Sequence, residues 1–295
     1  MNKHLKGLLI AFFGILILSP DAALVRLANA DSWTILFWRG IFFTAGIIVI
    51  LLITYRSKAL NEVINIGKEG ILIGFLTALG GTSFILAIHY TSIAKTLVII
   101  STSPIMVAIV SLVMLKEKPA LYTWLSMIII FIGIYIVMAG DTSGMNLTGN
   151  LFALTSVVIG GFSFTLLRKY NNVNMIPAMA VNGLVIALIG FIIADSLVLS
   201  SQSMLYVFAS GIVVAVSFSL ITIAPRYITA PEVAMFFPLG TVLGTLIAWI
   251  MIKEEPSSNA LIGGSIVIIT LFCHAWYSAG LSPKKIINKQ LNNYE

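Results

Sequence analysis

Ala87-Ile88-His89-Tyr90, in the first half of the chain, recurs as Ala224-Pro225-Arg226-Tyr227 in the second half. A similar offset of about 140 residues relates Gly7-Leu8-Leu9-Ile10-Ala11 to Gly149-Asn150-Leu151-Phe152-Ala153. Both halves are strongly hydrophobic. Two similar hydrophobic halves are typical of membrane transporters, in which paired repeats enclose a binding site near the middle of the bilayer.

The composition indicates that lipid is the solvent for most of the chain. Hydrophobic residues make up 59% of it and charged residues only 9%, whereas soluble domains have about 45–50% and about 25%. The formal net charge of +6 therefore has to be interpreted by position along the membrane, and we do not expect a nucleic-acid partner. The single cysteine, Cys273, cannot form an internal disulfide.

Ten segments are long and apolar enough to be membrane-spanning helices, for which about 20 residues are needed. Cutting the chain at its charged and turn-rich stretches gives spans one to ten at approximately 5–27, 33–54, 70–90, 94–114, 120–139, 149–168, 175–195, 204–226, 231–252 and 260–279. The expected fold class is an all-α polytopic membrane protein. We expect one five-helix repeat at 5–139, a second at 149–280, and a basic cytoplasmic tail at 281–295.

Lysine and arginine predict the orientation. If the N-terminus is cytoplasmic, 13 of the 17 basic residues lie inside, Arg26, Lys95 and Lys253 lie outside, and Arg39 lies within a span. This bias follows the positive-inside rule and predicts that both termini are cytoplasmic. Because each repeat has an odd number of spans, the second repeat must enter the membrane in the opposite sense to the first, which predicts an inverted-topology repeat.

The repeated residues resemble a known family. Ala87-Ile88-His89-Tyr90-Thr91-Ser92, followed by Pro104 and by Lys116-Glu117-Lys118, is similar to the EamA domain of the drug/metabolite transporter superfamily. A second, more degenerate copy has its counterparts at Tyr227, Pro238 and Lys253-Glu254, and Trp38-Arg39-Gly40 resembles the arginine-bearing second helix of a first EamA repeat. The resemblance covers about residues 5–280.

The resemblance implies a ten-helix fold with a central cavity built from spans one, three, four, six, eight and nine. It also implies export or exchange of small metabolites, often amino acids, with both repeats in the cytoplasmic membrane of a bacterium. The second repeat departs from the first in one respect, because it has Asn182 where the first has Arg39. The two halves are therefore not chemically equivalent.

Asp21 and Arg39 are ionisable residues that lie well inside the predicted spans one and two. Each lies six residues from the outer boundary of its span, which is roughly 9–10 Å at the rise of an α-helix. Charges within the membrane need a partner or a wet cavity, so we expect the two to form a salt bridge. A structural ion pair is one interpretation and a substrate or proton site is the other. The mirrored positions, Ser163 and Asn182, are neutral.

Helix-breaking residues occur in several spans. Ser19-Pro20 is expected to interrupt span one, and Gly160-Gly161 to interrupt span six at the corresponding position, as in transporters whose broken helices form the binding site. Simple kinks or close packing are the alternative. In span four, Pro104 frees the carbonyl of Ile100, which the hydroxyls of Ser101–Ser103 could satisfy; these hydroxyls could also face a substrate.

The turns between spans carry further candidates. His89, Tyr90 and Lys95 flank the turn between spans three and four, and Arg226, Tyr227 and Glu232 flank the turn between spans eight and nine. Tyrosines at such depths usually belong to the interfacial belt, but the repeat places these two at opposite mouths of one cavity. The candidate cavity residues are Ser19, Asp21, Arg39, His89, Tyr90, Ser101, Ser103, Gly160, Gly161, Ser163, Tyr227 and Phe237. His274 is expected to be an interfacial histidine.

The sequence has no P-loop, no HExxH motif, no Cys/His metal cluster and no nucleophile elbow. We therefore expect no enzyme activity, cofactor or metal, and energy from gradients rather than ATP. The leading hypothesis is a secondary transporter of a small metabolite that works by alternating access. A channel is the first alternative, and a membrane-embedded enzyme the second. Expected partners are a substrate and the bilayer, with a homodimer as a further option.

Overall fold

The computed structural model describes residues 3–139, 147–252 and 258–280. These residues form α-helices, joined by short connections, and no β-strand. The helices are α1 (Lys3–Leu18), α2 (Asp21–Leu27), α3 (Ser32–Tyr55), α4 (Ala59–Asn65), α5 (Gly67–Tyr90), α6 (Ile93–Ile100), α7 (Ser103–Leu115), α8 (Leu121–Ala139), α9 (Leu147–Lys169), α10 (Ile176–Ile193), α11 (Ser201–Ile223), α12 (Ala230–Ala234), α13 (Phe237–Ile252) and α14 (Ser258–Gly280). The predicted basic tail and Lys253-Glu254 lie outside the described residues.

The ten predicted spans are all present as apolar helical segments within the described residues. Span one is α1 with α2, span four is α6 with α7, span nine is α12 with α13, and each other span is one helix. Nine segments meet the length and hydropathy of a membrane-crossing helix, and the apolar part of α8, Leu121–Ile136, is shorter. This is the all-α polytopic fold that the sequence predicts.

Prolines account for the three broken spans. Pro20 lies between α1 and α2, Pro104 is the second residue of α7, and Pro238 is the second residue of α13. A proline has no N–H and its ring clashes with the preceding turn, so a helix must end before it. The Ser103 hydroxyl donates to the Ile100 carbonyl, which confirms that a neighbouring hydroxyl satisfies the group that Pro104 frees.

The predicted interruption at Gly160-Gly161 is wrong. Helix α9 runs continuously from Leu147 to Lys169. Glycine keeps its backbone N–H and costs only about 1 kcal/mol in a helix, whereas proline removes a donor. The paired breaks of the two repeats lie instead in spans four and nine, where α6 gives way to α7 and α12 to α13.

The helices pack across the two halves in matched pairs. Helix α3 packs on its counterpart α10, and α8 packs on its counterpart α14. The contact of α5 with α9 has its equivalent in the contact of α11 with α1, and the contact of α5 with α10 has its equivalent in that of α11 with α3. Each half thus meets the other through the same set of surfaces.

Glycines allow several of these helices to approach closely. Gly40 of α3 and Gly183 of α10 lie against each other, since a Cβ built on Gly40 would be 2.5 Å from the Gly183 carbonyl oxygen. At the end of the bundle where α1 begins, Gly7 packs against Tyr227 and Ile228. We call this the N-terminal end.

The opposite end repeats the arrangement. Gly149, the counterpart of Gly7, packs against Thr91, where a Cβ would lie 2.7 Å from the Thr91 Cβ. Arg26 Nη1 donates to the Ile88 carbonyl at 3.2 Å there, and Arg168 Nη1 donates to the Pro225 carbonyl at 2.8 Å at the N-terminal end. Arg168 also forms an ion pair with Glu117, with 3.1 Å between Nε and Oε1.

Candidate functional site

A cavity of about 150 Å³ lies between the two halves. Spans one, three, four, six, eight and nine contribute to it, as the family resemblance implied, and so do spans two and seven. Its lining is mostly apolar with a few polar groups, which is the usual make-up of a small-molecule site. The position between the repeats is the one at which transporters bind their substrates.

Asp21 and Arg39 form the charged part of the lining. Arg39 Nη2 donates to Asp21 Oδ2 at 2.6 Å, which confirms the predicted salt bridge. The Ser210 hydroxyl closes the arrangement, because it accepts from Arg39 Nε at 2.9 Å and donates to Asp21 Oδ1 at 2.6 Å. All three residues are buried. The triad joins spans one, two and eight and has no net charge when both partners are ionised.

Asn182 supplies an unsatisfied polar group to the same lining. Its side chain is buried, and its Oδ1 atom has no hydrogen-bond partner among the described residues. Asn182 precedes Gly183, and its counterpart Arg39 precedes Gly40, so the close contact between Gly40 and Gly183 brings both into one layer. A buried carbonyl oxygen without a partner costs free energy, and a ligand that donates a hydrogen bond would remove that cost.

Aromatic side chains provide much of the apolar lining. The phenylalanines that face the cavity are Phe43, Phe84, Phe164, Phe218 and Phe237. The rings of Phe164 and Phe237 make an edge-to-face contact with centroids 5.4 Å apart. The site therefore combines an apolar wall for a ligand's body with the Asp21–Arg39 pair and the Asn182 amide for its polar groups.

Seven of the predicted site residues line the cavity, namely Ser19, Asp21, Arg39, Ser103, Gly160, Ser163 and Phe237. Several of their hydroxyls are engaged with the backbone of their own helices. Ser19 Oγ donates to Ile15 at 2.8 Å, and Ser163 Oγ donates to Ile159 at 3.0 Å. Gly160 is different, because a Cβ at this position would have no neighbour within 4 Å. It leaves open space on the cavity side of α9.

The other five predicted residues are not part of the lining. Gly161 faces Met106 of α7, with 2.7 Å from a built Cβ to Met106 Cγ. Ser101 is buried behind the lining, where it hydrogen-bonds to Thr241, a residue that does face the cavity.

His89 and Tyr90 are exposed at the end of α5, where the Tyr90 ring stacks on Phe152 at 5.8 Å. Tyr227 lies at the N-terminal end, with Lys6 Nζ 5.0 Å from the centre of its ring. These positions fit the interfacial alternative for both tyrosines.

The sequence pattern did not indicate Asn182, Ser210 or the lining phenylalanines other than Phe237 as site residues. Asn182 was noted only as the neutral counterpart of Arg39, and its position in the repeat was the one available signal. His274, which we expected at the interface, is buried. Among the described residues no group of three or more His, Cys, Asp and Glu side chains could hold a metal ion.

Comparisons with known proteins agree with this architecture. The sequence profile of the EamA-like transporter family matches the chain twice, at residues 5–139 and 147–275. A curated relative described as an uncharacterized transporter, from Methanothermobacter thermautotrophicus, is 23% identical over 290 residues, which cover 90% of this chain and 83% of the relative.

The crystal structure of a similar protein superposes with a TM-score of 0.77 at 16% identity, and the match covers 93% of this chain and 98% of the other chain. At that identity the likeness concerns the fold alone. The family profile covers nearly all of the chain and does so twice. The protein is therefore an integral membrane transporter, and it belongs to the EamA-like transporter family of the drug/metabolite transporter superfamily.

Proposed function

We propose that the protein is a secondary active transporter that exports or exchanges a small amphipathic metabolite without net charge, such as a neutral amino acid. The observation that carries the proposal is the central cavity, in which a buried ion pair and an amide oxygen without a hydrogen-bond partner among the described residues lie within an aromatic lining. Polar groups aimed into an otherwise apolar cavity are what a substrate site requires.

The lining supports the proposed substrate class. Asp21 and Arg39 neutralise each other, so a ligand with net charge would leave one charge uncompensated at a buried site. A zwitterion avoids this, because its carboxylate can bind Arg39 while its ammonium group faces Asp21. The Asn182 Oδ1 atom can accept a further N–H, and the five phenylalanines can cover an apolar side chain.

We infer that the two repeats have inverted topology and that both termini are cytoplasmic. The basic-residue bias supports this orientation, and the mirrored contacts of Gly7 with Tyr227 and of Gly149 with Thr91 support the inversion. In this arrangement the N-terminal end of the bundle faces the cytoplasm, and the membrane is the inner membrane of a bacterium. Rocking of one repeat against the other would open each end in turn.

Flux through proteoliposomes tests the proposal. Vesicles containing the purified protein and loaded with an unlabelled neutral amino acid are expected to take up the labelled compound by counterflow that saturates with concentration. Flux that does not saturate supports a channel instead, and chemical turnover supports an enzyme. A panel of amino acids, purines and polyamines tests which class of metabolite the protein transports.

A matched pair of variants ties the flux to the cavity. Asn182→Leu replaces the side-chain amide by an apolar group of similar size, and Asn61→Leu makes the same change at an exposed position of α4. Counterflow should fall at least about tenfold in the first variant, which loses a hydrogen bond to the substrate. It should be unchanged in the second.

A further inference from the structure

The connection between spans two and three contains a short helix that neither neighbouring span accounts for. Helix α4 follows one turn of 3₁₀ helix at Arg56–Lys58 and is followed by α5. Arg56 and Gly67, one on each side of α4, have positive φ angles of 47° and 59°. A residue with left-handed φ cannot extend an α-helix, so α4 continues neither α3 nor α5.

The bundle fixes how α4 is rotated about its axis. The helix packs on α3 and α10 at the N-terminal end, where α3 ends and α10 begins. The side of α4 toward these helices carries Ala59, which is buried, and Glu62, whose Oε2 accepts from Asn174 Nδ2 at 2.7 Å. Ile66, which follows α4 on the same side, is also buried. The rest of the helix surface is exposed.

This exposed surface has an apolar side and a polar side. With 3.6 residues per turn, Leu60, Val63 and Ile64 share one side, and their exposed fractions are 75%, 44% and 75%. Asn61 and Asn65 share the other side and are exposed as well. A helix with separate apolar and polar sides fits the boundary between membrane and water, where the apolar side lies in lipid and the polar side in water.

Exposed basic residues flank the apolar side. Arg56 and Lys58 precede α4, and Lys68 follows it. None of the three forms an ion pair within the part of the chain that the structure describes. Of the two carboxylates nearby in the chain, Glu62 is already hydrogen-bonded to the connection between α9 and α10, and Glu69 is exposed. The flanks therefore present positive charge that is free to meet an anionic group.

We propose that α4 is an interfacial anchor, whose apolar side lies in the lipid leaflet at the N-terminal end and whose basic flanks bind the headgroups of anionic phospholipids. Helix α3 alone has 24 residues, which exceeds the about 20 residues that cross the hydrocarbon core. The connection after it therefore lies at the level of the headgroups. Burial of the apolar side attaches the helix to the leaflet, and the basic residues supply the preference for anionic lipid.

This surface lies outside the cavity, so it can be tested without a substrate. Single cysteines introduced as Ile64→Cys or Asn61→Cys in a Cys273→Ser background carry a bimane fluorophore. The protein is reconstituted into vesicles whose lipids bear a nitroxide on the acyl chain, which quenches the fluorophore on contact. Because only the apolar side enters the leaflet, the label at position 64 should be quenched at least about twofold more strongly than the label at position 61.

The headgroup preference is measured with the label at position 64. The vesicles contain equal amounts of phosphatidylglycerol and phosphatidylcholine, and the nitroxide is carried by one lipid or by the other. Labelled phosphatidylglycerol should quench at least about threefold more strongly, because it is anionic. The variant Arg56→Gln/Lys58→Gln should lower this ratio at least about twofold. The matched control Lys3→Gln/Lys6→Gln removes the same charge from exposed positions of α1 at the same end and should leave the ratio unchanged.

Equal quenching at positions 61 and 64 would overturn the interfacial placement. Equal quenching by the two lipids, or a ratio that both double variants lower alike, would overturn the binding of anionic headgroups by these flanks. A label at position 64 that lipid cannot reach, but that lies beside the same label of a second copy, would show a dimer contact there and would also overturn the proposal. Gel filtration before reconstitution confirms that the variants are folded. Because no flux is measured, these outcomes are independent of the proposed transport.

Discussion

The Asp21 carboxylate and the Arg39 guanidinium share one buried hydrogen-bonded unit with Ser210. Removing one member leaves an uncompensated charge in a low dielectric, which typically costs about 3–5 kcal/mol, whereas removing both members of a pair costs much less. We predict that Asp21→Asn and Arg39→Gln each lower the melting temperature of the purified protein more than the double variant does. Thermal unfolding in detergent measures this. A double variant that shows the summed loss of the two single variants would mean that the residues do not act as a pair.

Replacing Asn182 should not destabilise the protein, because its buried Oδ1 atom has no hydrogen-bond partner among the described residues. Leaving such an atom unpaired costs about 1–3 kcal/mol. The substitution Asn182→Leu should therefore maintain or raise the melting temperature while it lowers substrate affinity. Thermal unfolding with and without a transported metabolite separates the two effects. If the substitution destabilises the protein and leaves affinity unchanged, the amide has a structural role instead.

At the level of the helix, Gly160 and Gly161 have different surroundings although they are neighbours in α9. Gly160 faces open space on the cavity side, and Gly161 packs on Met106. We predict that Gly160→Leu fills the cavity and abolishes counterflow while the protein still inserts and folds. Gly161→Leu should reduce the amount of folded protein, because overpacking costs about 1–3 kcal/mol or more. Fluorescence-detected gel filtration measures the amount of folded protein, and the flux assay measures counterflow. Equal behaviour of the two variants would contradict the assignment of Gly160 to the cavity and of Gly161 to a packing contact.

The sequence predicts most of the helical elements because hydrophobic length and proline act locally. The ten spans, the breaks at Pro20, Pro104 and Pro238, and the Asp21–Arg39 pair all follow from position along the chain. The continuity of α9 does not follow from position along the chain, since a glycine pair is compatible with either a helix break or close packing.

Contacts between distant helices were harder to predict. Whether Asn182 and Ser210 reach the cavity or the Asp21–Arg39 pair depends on how each helix is rotated about its axis. These helices are apolar on nearly all sides, so hydrophobic periodicity gives little information about that rotation. The repeat is the remaining signal, and it indicates Asn182 only through its counterpart Arg39.

At the scale of the whole molecule, the orientation follows from the distribution of lysine and arginine. We predict that reporter fusions at Ser57 and Glu295 are cytoplasmic and that a fusion at Asp195 is external. Ser57 lies in the connection after α3 and Asp195 in the connection after α10. Paired phosphatase and fluorescent reporters at each position provide the control. An external Glu295 would contradict the ten-span arrangement and the inverted repeat together.

The central claim is that one cavity opens to the two sides in turn. Ala22 and Thr222 both line it, Ala22 beyond the Pro20 break and Thr222 near the N-terminal end. Single cysteines at these positions in a Cys273→Ser background report access from each side, measured as alkylation rates with and without a metabolite that supports counterflow. The account predicts that the metabolite raises the rate at one position and lowers it at the other. Rates that rise together, or that ignore the metabolite, would contradict alternating access and favour a channel.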